Sequence, residues 1–528
     1  MRAKTLFHNG RIYTMANRQI VDSMAVYKGN IVVVGNRLES DPDFKNYSRI
    51  DLKRRMVVPG LVDAHTHLYN FALNFNYVSL DGVDSLEKCL YRVKKFAAGL
   101  SRKAWVLGNG YSPDRFSVRT EPDRHMLDKI TGGRPAFIFS KDMHSAWVNT
   151  RALEQAGINA RTPDPQGGEI VRFSDGAPSG ILRELPGYAP VFERVDKPSR
   201  RVVDKCYRQA LDHAYRKGVT GVHSFDGPDG FEYFAELTQK GKLGLRINYY
   251  PQGDRIGDLE KTRTVYGTGT DYFRIAGVKI YADGALGSRT ALCFNKYVGT
   301  KDNYGIEVAS VAAMTKTARR AGNLGLPCAV HAIGDKAADN VLTAFENTPP
   351  VKSGARHRIE HLQLIRRKDL SRIKRLGVIA SMQPTHCPAD VHMVRKHWGK
   401  RGRNAYIFRT IIDRKIDLAF GSDVPIEQLD PLAGIEAAVR RAWPGSRDIF
   451  YPEQRISALE ALHAFTVGPA VAAGQEDCRG YLLPGYPADF VVLERDITRM
   501  APRHIHDTRV LATVINGTVK YLERSLNW

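Results

Sequence analysis

The chain has 528 residues, 43% of them hydrophobic and 25% charged, with a formal net charge of +22. That length exceeds one small core and calls for two or more domains, or for one large barrel with attachments. No apolar run approaches 18 residues and Gly10 interrupts the N-terminus before a leader core could form, which excludes a membrane span and a secretory leader and predicts a cytoplasmic protein.

In chain order, residues 1–55 hold short alternating strands, FHNGRIYTM and SMAVYKGNIVVVGN, joined by Asn-Gly and Gly-Asn turns. An apolar strand follows at 57–63. Strands at 104–109 and 135–140 precede the Gly- and Pro-rich stretch PDPQGGEIVRFSDGAPSG, which reads as hairpins, so about 70–200 is predicted to be an insertion. Further strands are predicted at 219–225, 244–250, 273–281, 327–331, 357–361, 377–383 and 417–422, alternating with helical stretches. ADFVVLERD and VLATVINGTVKYLE then repeat the strand-rich texture of the N-terminus. The expected fold class is α/β. Its core is a (β/α)8 TIM barrel over 59–469, with an inserted subdomain after the first barrel strand. A small β-sandwich domain is expected from both termini, 1–58 and 470–528. A doubly wound nucleotide-binding fold is the rival, but no G-x-G-x-x-G or P-loop follows the early strands.

The six cysteines are scattered without a C-x-x-C pair, which fits reduced thiols and argues against a disulfide framework or a cysteine zinc site. The 78 basic residues are dispersed, in runs no longer than Lys53-Arg54-Arg55 or Arg366-Arg367-Lys368. With no nucleic-acid-binding motif beside them, they read as solubility and attraction for anionic substrates or surfaces.

Chemistry gathers at the predicted strand ends, where barrel enzymes place it. His65 and His67 in PGLVDAHTH follow the first strand on one face; two such imidazoles could bind a metal, relay a proton or rest on the surface. Lys279 lies in RIAGVKIYADGALGSRTA, His331 in PCAVHAIGD, His361 in RHRIEHLQL and Asp423 in LAFGSDVPIE. Six such groups exceed one zinc site and suit two metals sharing ligands. Lysine is the odd member, since a cation there would be repelled; carbon dioxide converts its amine to an anionic carbamate with two oxygens.

These motifs, with MHSAWVNTRALEQAGI, GAPSGIL, SMQP and GYLLPGYPADFVVL, resemble the amidohydrolase superfamily, and within it the N-substituted formamide deformylase-like (YtcJ-like) branch, over nearly the whole chain. The resemblance implies a hydrolase of C–N bonds in an exocyclic amide or N-substituted formamide. It implies two divalent ions, zinc by expectation: His65, His67 and Asp423 for the first, His331 and His361 for the second, and N6-carboxylated Lys279 as bridge. A metal-bridging hydroxide would attack, with Asp423 as catalytic proton shuttle. A cyclic-amide hydrolase or a deaminase is the alternative within the superfamily. A scaffold or a basic nucleic-acid-binding protein is the alternative outside it. The partner expected is a small amide substrate, with no nucleic acid and no membrane, and a homodimer as the candidate assembly.

Four residues are candidates for substrate contact: His144 in KDMHSAWVN, His223 and His386 near strand ends, and Arg289 in the loop after Lys279, where it could bind a carboxylate. Asp63 could orient a ligand or be a buried structural carboxylate, and Asp283 could line the site or brace its loop. Tyr111, Phe116 and Trp147 could line an apolar pocket or be core.

Overall fold

A computed structural model of the chain describes residues 4–17, 19–113, 116, 121–141, 143, 145–443, 445–524, 526 and 528. Two compact units emerge, one formed by Met1–Leu68 with Leu211–Trp528 and the other by Tyr69–Ala210.

In the first unit, parallel strands alternate with helices. One sheet runs in the order Phe273–Ile275, Arg246–Tyr249, Val219–Ser224, Leu61–Thr66. A second runs Val278–Tyr281, Cys328–Ala332, Arg358–His361, Ile379–Met382, Leu418–Phe420. Single parallel bridges, Thr66 to Val424 and Gln252 to Lys279, connect the margins of the two sheets. Every residue of the strands Val219–Ser224, Arg358–His361 and Ile379–Met382 is buried, as expected of parallel strands covered on both faces.

The intervening helices follow from local sequence. Val311–Asn323 starts where the Ser310 side chain accepts from Ala313 N, and it buries Met314, Ala318 and Ala321, one face at a spacing of four and three. Ala458–Ala472 opens with a capping box in which Ser457 and Glu460 satisfy each other's backbone N–H groups.

Both ends of the chain enter one six-stranded sheet, ordered Thr518–Leu522, Val510–Ile515, Phe490–Leu493, Met56–Pro59, Arg11–Tyr13, Ile20–Val21. A four-stranded sheet, Asn30–Gly35, Ser23–Tyr27, Lys4–His8, Ser48–Asp51, shares its core. Phe7, Met24, Val57, Phe490, Val492 and Val514 fill that core, with the Phe7 and Phe490 rings edge to face at 5.0 Å.

Two expected strands are each divided. The run 57–63 belongs to two sheets: Met56–Pro59 pairs with Phe490–Leu493, and Leu61–Thr66 with Val219–Ser224. Gly60 lies between them, where a Cβ would fall 2.2 Å from Thr220 Oγ1, so the backbone changes sheets at the one residue without a side chain. The run 273–281 breaks at Ala276–Gly277; its first half pairs with Arg246–Tyr249 and its second with Cys328–Ala332. Periodicity cannot see such a change of partner.

The unit Tyr69–Ala210 has its own six-stranded sheet, Glu169–Arg172, Pro178–Arg183, Ser145–Val148, Ala136–Ser140, Val106–Tyr111, Val78–Ser79. Its strands after residue 140 pair antiparallel. Tyr111, Phe116 and Trp147 are buried in one of its core clusters, which settles them as core residues and not as pocket lining. Among the described residues no helix is long and apolar enough to cross a membrane.

Candidate metal centre

The site is assembled at the C-terminal ends of the parallel strands. Along Leu61–Thr66, Asp63 and His65 share a face because side chains alternate. Asp63 is completely buried and accepts hydrogen bonds from His65 N (3.1 Å) and Ser422 N (2.9 Å). It thereby fastens this strand to the turn after Leu418–Phe420, and bracing is its role. Gly421 permits the approach, since a Cβ there would sit 2.4 Å from His65 N. Asp423 follows in the left-handed region (φ 63°), donating its N–H to His65 O at 2.8 Å. Its carboxylate then meets the histidines: Oδ1 lies 3.4 Å from His65 Nε2 and 3.6 Å from His67 Nε2.

His361 ends its own strand with φ 71° and lies between two other imidazoles, its ring centroid 4.8 Å from His65 and 4.5 Å from His331. One ligand atom each from His65, His361 and Asp423 falls within 4.8 Å of the other two. Lys279 is buried, its Nζ 4.5 Å from the Phe225 ring centroid and 5.0 Å from that of Tyr281. Among the described residues it forms no ion pair. Burial lowers its pKa to about 8.

Hydrogen bonds define which imidazole nitrogens are free. Glu360 Oε2 is 2.6 Å from His65 Nδ1. A carboxylate only accepts, so Nδ1 carries the proton and Nε2 turns a lone pair toward Asp423. Burial lowers His65 to about 4, so the ring is neutral at pH 7. His331 Nε2 donates to the Gly284 carbonyl at 3.1 Å, which leaves its Nδ1 lone pair free; burial lowers this ring to about 3. His361 Nδ1 is buried without a partner.

Glu360 and Arg358 were not singled out in the sequence. Both are completely buried, and Arg358 spans Glu360, Ser381 Oγ (2.7 Å), the Ala64 carbonyl (2.6 Å) and His223 Nδ1 (2.6 Å). The available signal was R-I-E-H itself: two opposite charges one pleat apart inside a buried strand.

The remaining expected residues divide. His386 stays at the site, Nε2 3.9 Å from Asp423 Oδ2 and Nδ1 3.4 Å from Gln363 Nε2. His223 does not open to the mouth: it is completely buried and held by Arg358, because the strand ends one residue later and turns it inward. Arg289 is exposed on its loop. Asp283 accepts from Leu292, Ile333 and Gly334 N–H groups and so braces that loop. His144 lies outside the described residues.

Residues 49–521 match the Amidohydrolase family. Over 98% of its length the chain is 31% identical to YtcJ of Bacillus subtilis (strain 168), covering 99% of that protein. It is 26% identical to the N-substituted formamide deformylase of Arthrobacter pascens, over 97% of each chain. Among solved structures, an uncharacterized metal-dependent hydrolase from Pyrococcus furiosus has a TM-score of 0.77 at 30% identity, over 94% of this chain and 100% of that one. Fold and site together define the class, a metal-dependent hydrolase. More narrowly, the chain belongs to the amidohydrolase family and acts on carbon–nitrogen bonds.

Proposed function

We propose that the chain hydrolyses an exocyclic amide, an N-substituted formamide in particular, at a centre of two divalent ions, zinc by preference. One observation carries the metal reading. His65 Nε2 and Asp423 Oδ1, both acceptors, face each other at 3.4 Å in a buried site, an arrangement that calls for a cation between them. The unpartnered Nδ1 of His361 fits the same demand.

His65, His67 and Asp423 would hold one ion, His331 and His361 the other, with Lys279 shared once carboxylated. A buried lysine without a carboxylate partner is costly as an ammonium. As a neutral amine, its lone pair attacks carbon dioxide and a proton leaves, giving the carbamate. Bound zinc acidifies water and polarises a carbonyl. The protein's own groups do the rest. Glu360 fixes the His65 tautomer and ring plane. Asp423 accepts the proton of the attacking water and hands it to the leaving nitrogen, with His386 beside its outer oxygen.

The paired strands and their two bridges support one closed (β/α)8 barrel over 59–469, interrupted by the unit near 70–200 and flanked by a β-sandwich of 1–58 and 470–528. Scattered cysteines support a cytoplasmic setting.

A panel of N-formyl, N-acetyl and aminoacyl amides with the zinc-loaded protein tests the substrate class, formamides being expected to turn over fastest. Preference for a cyclic amide or for deamination would overturn that choice. Lys279→Ala is expected to lose bound metal and activity together, and Lys279→Arg to fail equally because guanidinium forms no carbamate. Metal analysis finding two ions and normal turnover in Lys279→Ala would remove the bridge.

A further inference from the structure

The N-terminal ends of the same parallel strands frame a second polar cleft, opposite in strand direction to the metal centre. Val62, Thr220, His223, Arg246 and Asn248 line it from three adjacent strands, and Pro469 closes it from the helix Ala458–Ala472. It holds about 620 Å³ of empty space, open solvent included.

Its walls are short of acceptors. Arg358 Nη1 can only donate, so His223 Nδ1 accepts from it at 2.6 Å, and the neutral ring keeps its proton on Nε2. That Nε2, on a completely buried side chain, has no partner. The Nε–H groups of Arg274 and Arg479, both lining the cleft, are also buried and unpartnered. The one lining acceptor in this condition is Asn248 Oδ1; the same side chain donates its Nδ2 to Gln475 Oε1 at 3.0 Å.

Charge is unbalanced in the same sense. Arg246 grips Asp489 through Nε (2.6 Å) and Nη2 (3.0 Å), and it shares Asp271 with Arg479. Arg274 lies with its guanidinium carbon 4.9 Å from the Tyr266 ring centroid and has no carboxylate partner among the described residues. Three guanidiniums against two carboxylates leave one positive charge. Water would satisfy the donors but not that charge.

We infer that this cleft is a binding site for a small oxyanion, of the size and chemistry of inorganic phosphate or a short carboxylate. The anion accepts from His223 Nε2, Arg274 Nε and Arg479 Nε, while Asn248 Oδ1 takes the proton of a monoprotonated form. The site stands at the far end of the chain of bonds from His223 through Arg358 and Glu360 to His65.

Calorimetric titration of the metal-loaded protein with inorganic phosphate tests this at constant ionic strength. Phosphate can also reach the metals, so sites are counted. Arg274→Gln is expected to lose one bound phosphate per chain, and Asn248→Asp, which places a carboxylate in the cleft, to weaken that site at least tenfold. Metal content and melting temperature should be unchanged in a variant used for this comparison. His361→Asn, altered at the metal centre, should retain the same phosphate. Saturable binding absent from the unaltered protein, binding unchanged in both Arg274→Gln and Asn248→Asp, or binding wholly lost in His361→Asn would each overturn the assignment. The last result would place the anion at the metals and leave the metal reading intact.

Discussion

Glu360 has no contact with solvent, yet it determines which nitrogen of His65 is free. Glu360→Gln keeps the shape but removes the charge that Arg358 and the His65 N–H both address. Partners of this kind typically contribute 10–100-fold in metal affinity. Glu360→Gln is therefore expected to bind zinc about tenfold or more weakly, as read by competition with a chelator; unchanged affinity would make Glu360 a purely structural residue. A second buried group outside the site has a pH consequence. His357 stacks on Phe345 at 4.2 Å and accepts from Cys328 N at 2.9 Å, and burial lowers it to about 4. Between the ordinary value near 6.5 and about 4, the unfolded chain binds a proton that the folded chain refuses. The contribution is thus present above pH 6.5 and lost as pH falls toward 4, by roughly 3 kcal/mol in all. His357→Asn can still accept from Cys328 N, and its melting temperature should fall less between pH 6.5 and 4.5 than that of the unaltered protein.

At the scale of elements, the strand Phe490–Leu493 carries the most structural consequence. It lies between Met56–Pro59 and Val510–Ile515, so it joins the two ends of the chain in one sheet, and all four of its residues are buried. Phe490→Ala leaves a cavity against Phe7 and is expected to cost about 3–5 kcal/mol. Chemical denaturation followed by fluorescence should show an earlier transition; a shift under about 1 kcal/mol would mean that the sheet repacks freely. The neighbouring strand Leu61–Thr66 shows why sequence patterning found the apolar run but not its division. Apolar residues at 57, 58, 61 and 62 satisfy either sheet, and only the lack of room at Gly60 separates them.

Across the whole molecule, the net charge of +22 is spread over a surface where many cations already have partners. Arg372 pairs with Asp339, Glu346 and Asp369, Arg320 with Glu260, and Arg395 with Asp448. Binding to double-stranded DNA should therefore be weak, and filter binding should detect none in 150 mM salt. Retention there would demand a concentrated basic surface.

The sequence by itself determined the family, the alternation of strands with helices, and the polar residues at the strand ends. Those features are local: a buried strand shows as an apolar run, and a motif such as PGLVDAHTH or GSDVP is contiguous. Tertiary structure alone decided which residues face one another. The meeting of His65 with Asp423 spans hundreds of residues, and the chain from His223 through Arg358 to Glu360 depends on strands distant in sequence lying side by side. The same holds for the divided runs at 57–63 and 273–281, and for the aromatic residues Tyr111, Phe116 and Trp147, whose burial depends on the sheet they fold against. Periodicity reports the environment of one segment. The identity of its neighbours follows from pairing and packing over long separations, where burying a charge or lone pair is tolerable only beside its complement.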